Sequence, residues 1–248
     1  MGAPVTDLEQ AYRELAIANR ILAREDVVDA YGHVSIRHPD DPSRYLLARS
    51  LSPALVTPDD LMTFDLVGEP INDSRRPYGE RPIHGGIYET HPNVHAVVHN
   101  HSHAVIPYGV TGVPLRPIVH VGSGIGQTIP IWDIADSFGH TNMLVLNMDQ
   151  GRDLAKCLGE NRVALMRGHG CVVVGPNLKE AVMVSIYLQV NAQLQSAAMQ
   201  MGAAHGRDVK YLTPEEERLY SEVHFSPLSM DRAWEYFLDR ADLSGISV

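Results

Sequence analysis

The sequence predicts an α/β fold in which a mainly antiparallel central sheet is layered by helices. Two observations carry this expectation. Strand-like segments arrive in pairs, 31–38 with 45–49 and 163–166 with 171–174, with no crossover helix inside either pair; strands joined that directly run antiparallel. Long apolar helical patterns at 6–24 and 178–201 supply covering layers.

Taken in order, Leu8, Ala11, Tyr12, Leu15, Ala18, Ile21 and Leu22 recur at steps of three and four, with Thr6 as N-cap and Glu9 completing a capping box. Tyr31–His38 alternates as a strand, and 45–49 pairs with it across a Pro/Asp turn. Thr57-Pro58-Asp59-Asp60 punctuates a short helix over 55–61, before a strand at 62–66 that closes on Gly68-Glu69-Pro70. Pro82 opens a helix to Thr90, and a β-branched run then leads into His99. A short helix over 104–110, a strand over 117–122 and a Gly-rich loop at 122–126 follow. That loop lacks the strand, helix and acidic residue of a dinucleotide fingerprint. Helix 152–158, the strand pair 163–166 and 171–174, and a long apolar helix from 178 to 201 with Asn177 near its start come next. Two last helices begin at Thr213-Pro214 and span 230–241.

With 248 residues, 44% of them hydrophobic, the chain can bury a full core; it reads as one domain over 1–248 with a helical extension from about 206. A formal net charge of -10 argues against nucleic acid or an anionic membrane as partner. A small anionic substrate stays open, because a few arginines can dominate a pocket. Two cysteines, no 18-residue apolar run and no signal-peptide pattern lead us to expect a soluble cytoplasmic protein.

The chemistry concentrates in Glu80–His103. His99 and His101 are spaced H-x-H at the end of a β run, so on a strand both imidazoles face one side. Glu80 lies upstream, and His169 of Gly168-His169-Gly170 abuts another β run. Three imidazoles with an open position make a catalytic rather than a structural metal site. Solvated strand ends or satisfied core histidines are the bland alternative. Glu80 is an acid/base, an additional ligand, or only a carboxylate favoured by the helix dipole. His33 contacts substrate or caps a strand turn. Arg49 and Arg81 clamp carboxylates or lie on the surface. Ser50, Ser52, His84 and His120 complete the pocket candidates; His103 shares the His101 face only if the strand continues.

Gly32-His33-Val34-Ser35, the Glu80 segment, His99-Asn100-His101 and Arg167-Gly168-His169-Gly170 together resemble the class II aldolase/adducin family over roughly residues 7–205. The resemblance implies a three-layer α/β/α fold and a homotetramer with active sites at subunit junctions. It also implies one divalent metal per subunit on His99, His101 and His169, with Glu80 as acid/base. Where the family's sugar-phosphate aldolases carry an asparagine and a serine pair, this chain has His33 and Tyr78-Gly79. Val121 follows His120 where those aldolases have a tyrosine near Pro117. Gly32–Ser35, Arg49–Pro53 and Tyr78–His84 are similar instead to the branch that decarboxylates hydroxy-aromatic dicarboxylates, such as a dihydroxyphthalate or a hydroxymethylpyridine dicarboxylate. That implies a small anionic aromatic substrate; the residues themselves offer Glu80, His33 and His84 as catalytic candidates and Arg49, Ser50, Ser52, Arg81 and His120 as substrate-binding ones. The metal is then manganese or zinc, with iron as the further option. A metal-dependent aldolase for an unphosphorylated hydroxy acid, a non-haem iron oxygenase and an adducin-like scaffold are the competing readings; all three histidines being present opposes the scaffold.

Overall fold

The computed structural model describes residues 7–246, so the expected N-cap Thr6 lies outside the described residues. Seven strands form one sheet in the order β3-β2-β1-β4-β7-β6-β5. They are β1 (His33–Arg37), β2 (Arg44–Ala48), β3 (Leu61–Asp65), β4 (Ala96–Asn100), β5 (Ile131–Trp132), β6 (Val163–Met166) and β7 (Gly170–Gly175). Every pairing is antiparallel except β5 with β6. The helices α1 (Asp7–Arg24) and α6 (Leu178–His205) pack together and onto the sheet, while α2 (Pro82–Thr90) pairs closely with α5 (Met148–Leu158) as the other layer. The remaining helices are α3 (Ile106–Thr111), α4 (Ile134–Phe138), α7 (Pro214–His224) and α8 (Pro227–Arg240).

β4 and β7 are buried at every position. A central strand covered on both sides reads as a continuous apolar run, and that is how 96–98 and 171–174 look in the sequence. Helix boundaries follow their caps. Asn147 accepts from the Gln150 amide and starts α5 earlier than the apolar pattern alone indicated; Asn177 does the same for α6; Thr213 and Glu216 form a reciprocal capping box on α7.

Two expected elements differ. In place of one helix over 55–61 there are two three-residue 3-10 turns, Pro53–Leu55 and Pro58–Asp60, and Leu61 already belongs to β3. The expected strand over 117–122 is absent. Residues 114–118 find their backbone partners on α6 side chains: Gln195 bonds the Arg116 amide and the Pro114 carbonyl, and Asn191 bonds the Ile118 amide and the Arg116 carbonyl. With these amides satisfied, no neighbouring strand is needed, and the chain coils into a 3-10 turn at His120–Ile125 against α6 and α7.

The last two helices lie back on the body. α7 packs against the 120–125 turn, and α8 against α1 and α6. No helix among the described residues is long and apolar enough to cross a membrane.

Candidate metal centre and substrate cavity

The β1/β4 register sets His33 opposite His99, and β4 sets Asn100 opposite Cys171 on β7. This brings the ends of β1 and β4 to one spot beside the 167–169 turn that joins β6 to β7. One donor atom from each of Glu80, His99, His101 and His169 then lies within 4.8 Å of the others. The Nε2 atoms of His99 and His101 are 3.2 Å apart; Glu80 Oε2 is 3.5 Å from His169 Nε2 and 3.8 Å from His99 Nε2. A tetrahedral shell at ordinary zinc–nitrogen bond lengths has edges of about 3.3 Å.

The second nitrogen of each ring decides what faces inward. His99 Nδ1 lies 3.1 Å from the Cys171 carbonyl, His169 Nδ1 3.0 Å from the Met143 carbonyl, and His101 Nδ1 3.2 Å from both oxygens of Asp29. Carbonyls and carboxylates only accept, so each Nδ1 carries the proton and each Nε2 presents a lone pair. Three lone pairs and a carboxylate converging on one point repel unless a cation sits between them, and such outer partners are the usual support of metal-ligating histidines. The residues present therefore fit a divalent metal.

Glu80, at the start of α2, is anchored through Oε1 by the Val145 amide at 2.9 Å, leaving Oε2 for the cluster. Burial pushes its pKa up, but the adjoining His169 and His99 rings and the Val145 amide outweigh that and hold it well below the ordinary carboxylate range. Met143, whose carbonyl orients His169, adopts a left-handed backbone at φ +67°. That conformation is costly for a side chain of this size and aims the carbonyl at the ring.

Beside the cluster lies a cavity of about 510 Å³, lined by the polar groups of Glu80, His33, His101 and His169 and by Tyr31, Tyr78, Met143, Leu144 and Leu146. Its size suits a small ring compound. A larger groove of about 790 Å³ along β3 shares no residue with it and gathers no such donors.

Of the residues expected at the site, Glu80, His99, His101 and His169 come together, and His33 and Ser50 line the cavity. Other expectations are corrected. Arg49 is engaged by Asp60 at 2.7 Å. Arg81 turns away to the Gly68 and Tyr78 carbonyls. Ser52 precedes the first 3-10 turn and does not line the cavity. His120 stacks edge-on against Tyr220, its ring centroid 4.6 Å away, because the 117–122 segment coils toward α7. His84 is fully buried behind His33 rather than in the cavity. His103 lies exposed in the turn after β4. Sequence reading missed Asp29, the Met143 carbonyl and the Val145 amide. Asp29 also accepts from the Tyr31 and Gly32 amides, a turn that Asp-Ala-Tyr-Gly announces, although nothing local announces its reach to His101.

The profile described as Class II Aldolase and Adducin N-terminal domain matches residues 13–196. The chain is 34% identical over 245 residues to "Decarboxylase tropJ" of Talaromyces stipitatus, covering 91% of this chain and 92% of that one. It is 27% identical over 210 residues to "3,4-dihydroxyphthalate decarboxylase" of Arthrobacter keyseri, covering 78% and 81% respectively. The solved structure of an L-fuculose 1-phosphate aldolase from Glaciozyma antarctica superposes with a TM-score of 0.76 at 19% identity, over 96% of this chain and 91% of that one. Profile, relatives and fold agree, and the chain belongs to the class II aldolase and adducin family.

Proposed function

We propose that this protein is a divalent-metal-dependent decarboxylase acting on a small hydroxy-aromatic carboxylate. The observation that carries the reading is the convergence of three Nε2 lone pairs and Glu80 Oε2 beside a cavity that is otherwise lined largely by apolar and aromatic side chains. Two relatives, each similar over more than three quarters of this chain, are named decarboxylases, which supports a carboxy-lyase within this family. Manganese or zinc suits the His/Glu donor set, with iron as the further option.

A cation held by His99, His101 and His169 supplies Lewis-acid stabilisation of negative charge on a substrate oxygen. Glu80 Oε2, ionised at rest, takes the proton of the ring hydroxyl and returns it to the carbon bearing the carboxylate. That carbon becomes tetrahedral. The carbon–carbon bond then breaks, carbon dioxide leaves, and the electron pair restores the aromatic phenolate. Val145 holds Oε1, so the carboxylate pivots little during this exchange. Tyr31, Tyr78, Leu144 and Leu146 supply apolar surface against which the ring packs.

The family resemblance also supports a homotetramer, and light scattering tests it. Elemental analysis of the purified protein, combined with a screen for carbon dioxide release over hydroxy-aromatic acids, tests the main reading. Stoichiometric divalent metal and carbon dioxide release without dioxygen are expected. A metal-free active enzyme, or turnover only with dioxygen, overturns the proposal.

A further inference from the structure

His33 and Ser35 project from one face of β1, and His84 and Tyr88 stand one turn apart on α2. The four interdigitate into a single buried chain of hydrogen bonds. Tyr88 Oη lies 2.8 Å from Ser35 Oγ, Ser35 Oγ 2.6 Å from His84 Nδ1, and His84 Nε2 2.7 Å from His33 Nδ1. The chain starts at the buried Tyr88 hydroxyl, whose only hydrogen-bond acceptor among the described residues is Ser35 Oγ, and ends at the cavity.

That starting point gives the chain a direction. The buried Tyr88 proton has only Ser35 Oγ to go to; the Ser35 proton goes to His84 Nδ1; His84 then carries its proton on Nε2 and donates to His33 Nδ1. The opposite order would leave the Ser35 hydroxyl proton without an acceptor in a fully closed site. The consequence falls on His33, whose Nδ1 accepts and whose ring proton must sit on Nε2. No hydrogen bond among the described residues uses that nitrogen, and the ring lines the cavity.

We propose that Ser35 and His84 are positioning residues that hold His33 as a fixed hydrogen-bond donor, Nε2–H outward, for an anionic oxygen of the substrate, with Tyr88 closing the buried end of the chain. The inference rests on reading this cavity as the substrate site. Each ring is buried and accepts at Nδ1, so both are neutral imidazoles. A neutral ring donates from one nitrogen only, so its tautomer matters. The chain is not a proton supply to the reaction: it ends at Tyr88, whose hydroxyl burial pushes well above its ordinary range, and a tyrosinate there would have nothing to refill it. His33 thus adds a directed donor to the cavity lining.

The test is long-range ¹⁵N correlation of the imidazoles in the zinc-loaded protein, with salicylate as an anionic hydroxy-aromatic probe. The expected spectrum has a pyridine-type Nδ1 and a pyrrole-type Nε2 at His33, with Nε2 shifting when salicylate binds. Ser35→Ala is expected to move both His33 nitrogens toward a tautomer mixture and to weaken salicylate, whereas Tyr88→Phe leaves them in place, because Ser35 then has His84 as its only acceptor. His33→Ala should weaken salicylate roughly 10- to 100-fold at unchanged zinc content, the usual loss of one bond to a charged group. A pyridine-type Nε2 in the wild type, unmoved nitrogens in Ser35→Ala, or salicylate binding that ignores His33 each overturns the proposal. Should Ser35→Ala not fold, the wild-type tautomer and Tyr88→Phe still decide. None of these readouts needs turnover, so a failed carbon dioxide screen alongside the expected shifts would reject the decarboxylase reading and leave the relay standing.

Discussion

Replacing Asp29 with asparagine is the sharpest probe of how the metal centre is supported. Asp29 touches no donor nitrogen; its two oxygens sit 3.2 Å from His101 Nδ1 and hold that ring with its Nε2 lone pair inward. Asparagine keeps one acceptor oxygen for the Tyr31 and Gly32 amides, so the turn survives, while the charge on the imidazole is lost. Losing an outer partner of this kind lowers metal affinity roughly 10- to 100-fold. The Asp29 side chain is 40% exposed, so solvent screening places Asp29→Asn at the lower end, roughly 10-fold or about 1.4 kcal/mol. Asp29→Ala removes the turn contacts as well and belongs near 100-fold. Competition for zinc against a chromophoric chelator at fixed pH measures both. An Asp29→Asn affinity within two-fold of wild type would refute the argument that this carboxylate sets the His101 tautomer.

Alanine at His99, His101 or His169 should lower metal affinity by orders of magnitude, since two imidazoles hold a divalent ion far less well than three; retained stoichiometric metal in a His99/His101 double variant would remove the site. Glu80→Gln should reduce turnover by roughly 10² to 10⁴, read as kcat with metal content measured on the same sample; a kcat within a few-fold of wild type would hand the proton step to another group. Acid stability gives an independent check. Burial raises the Asp60 pKa, but the Thr57 hydrogen bonds and Arg49 outweigh this and lower it below its ordinary 3.8. Its contribution is thus present above about pH 3.8 and lost as pH falls through the lower folded value. Thermal unfolding of Asp60→Asn should show a shallower decline below pH 4 than wild type, and parallel curves would count against it.

The layers of the fold were legible because their signals are local. H-x-H at the end of an apolar run, Pro82 at a helix start and the capping residues Asn177 and Thr213 each act within a few positions. The donor cluster was legible for the same reason, since each histidine abuts its own β run. What stayed hidden depends on contacts across the fold. Arginine 49 looks like a carboxylate clamp until Asp60, eleven residues on, is seen to occupy it. The 117–122 segment has strand-like residues, but the amides that settle it, Asn191 and Gln195, sit some seventy to eighty positions later. Backbone partners such as the Met143 carbonyl and the Val145 amide have no side-chain signature to read.

Helices α2 and α5 meet where side chains are nearly missing. A methyl group on Gly86 would come within 2.5 Å of the Gly151 carbonyl carbon, and one on Gly151 within 2.1 Å of the Pro82 carbonyl oxygen. Glu80 lies just before α2 and Val145 just before α5, so this bare seam sets the spacing between the carboxylate and the amide that anchors it. Two glycines with no chemistry of their own therefore act as a gauge block for the acid, and a single added carbon at either would wedge the pair apart while leaving every reactive group intact. Directed evolution of this scaffold toward new substrates would do well to vary the apolar cavity wall freely and leave that seam untouched.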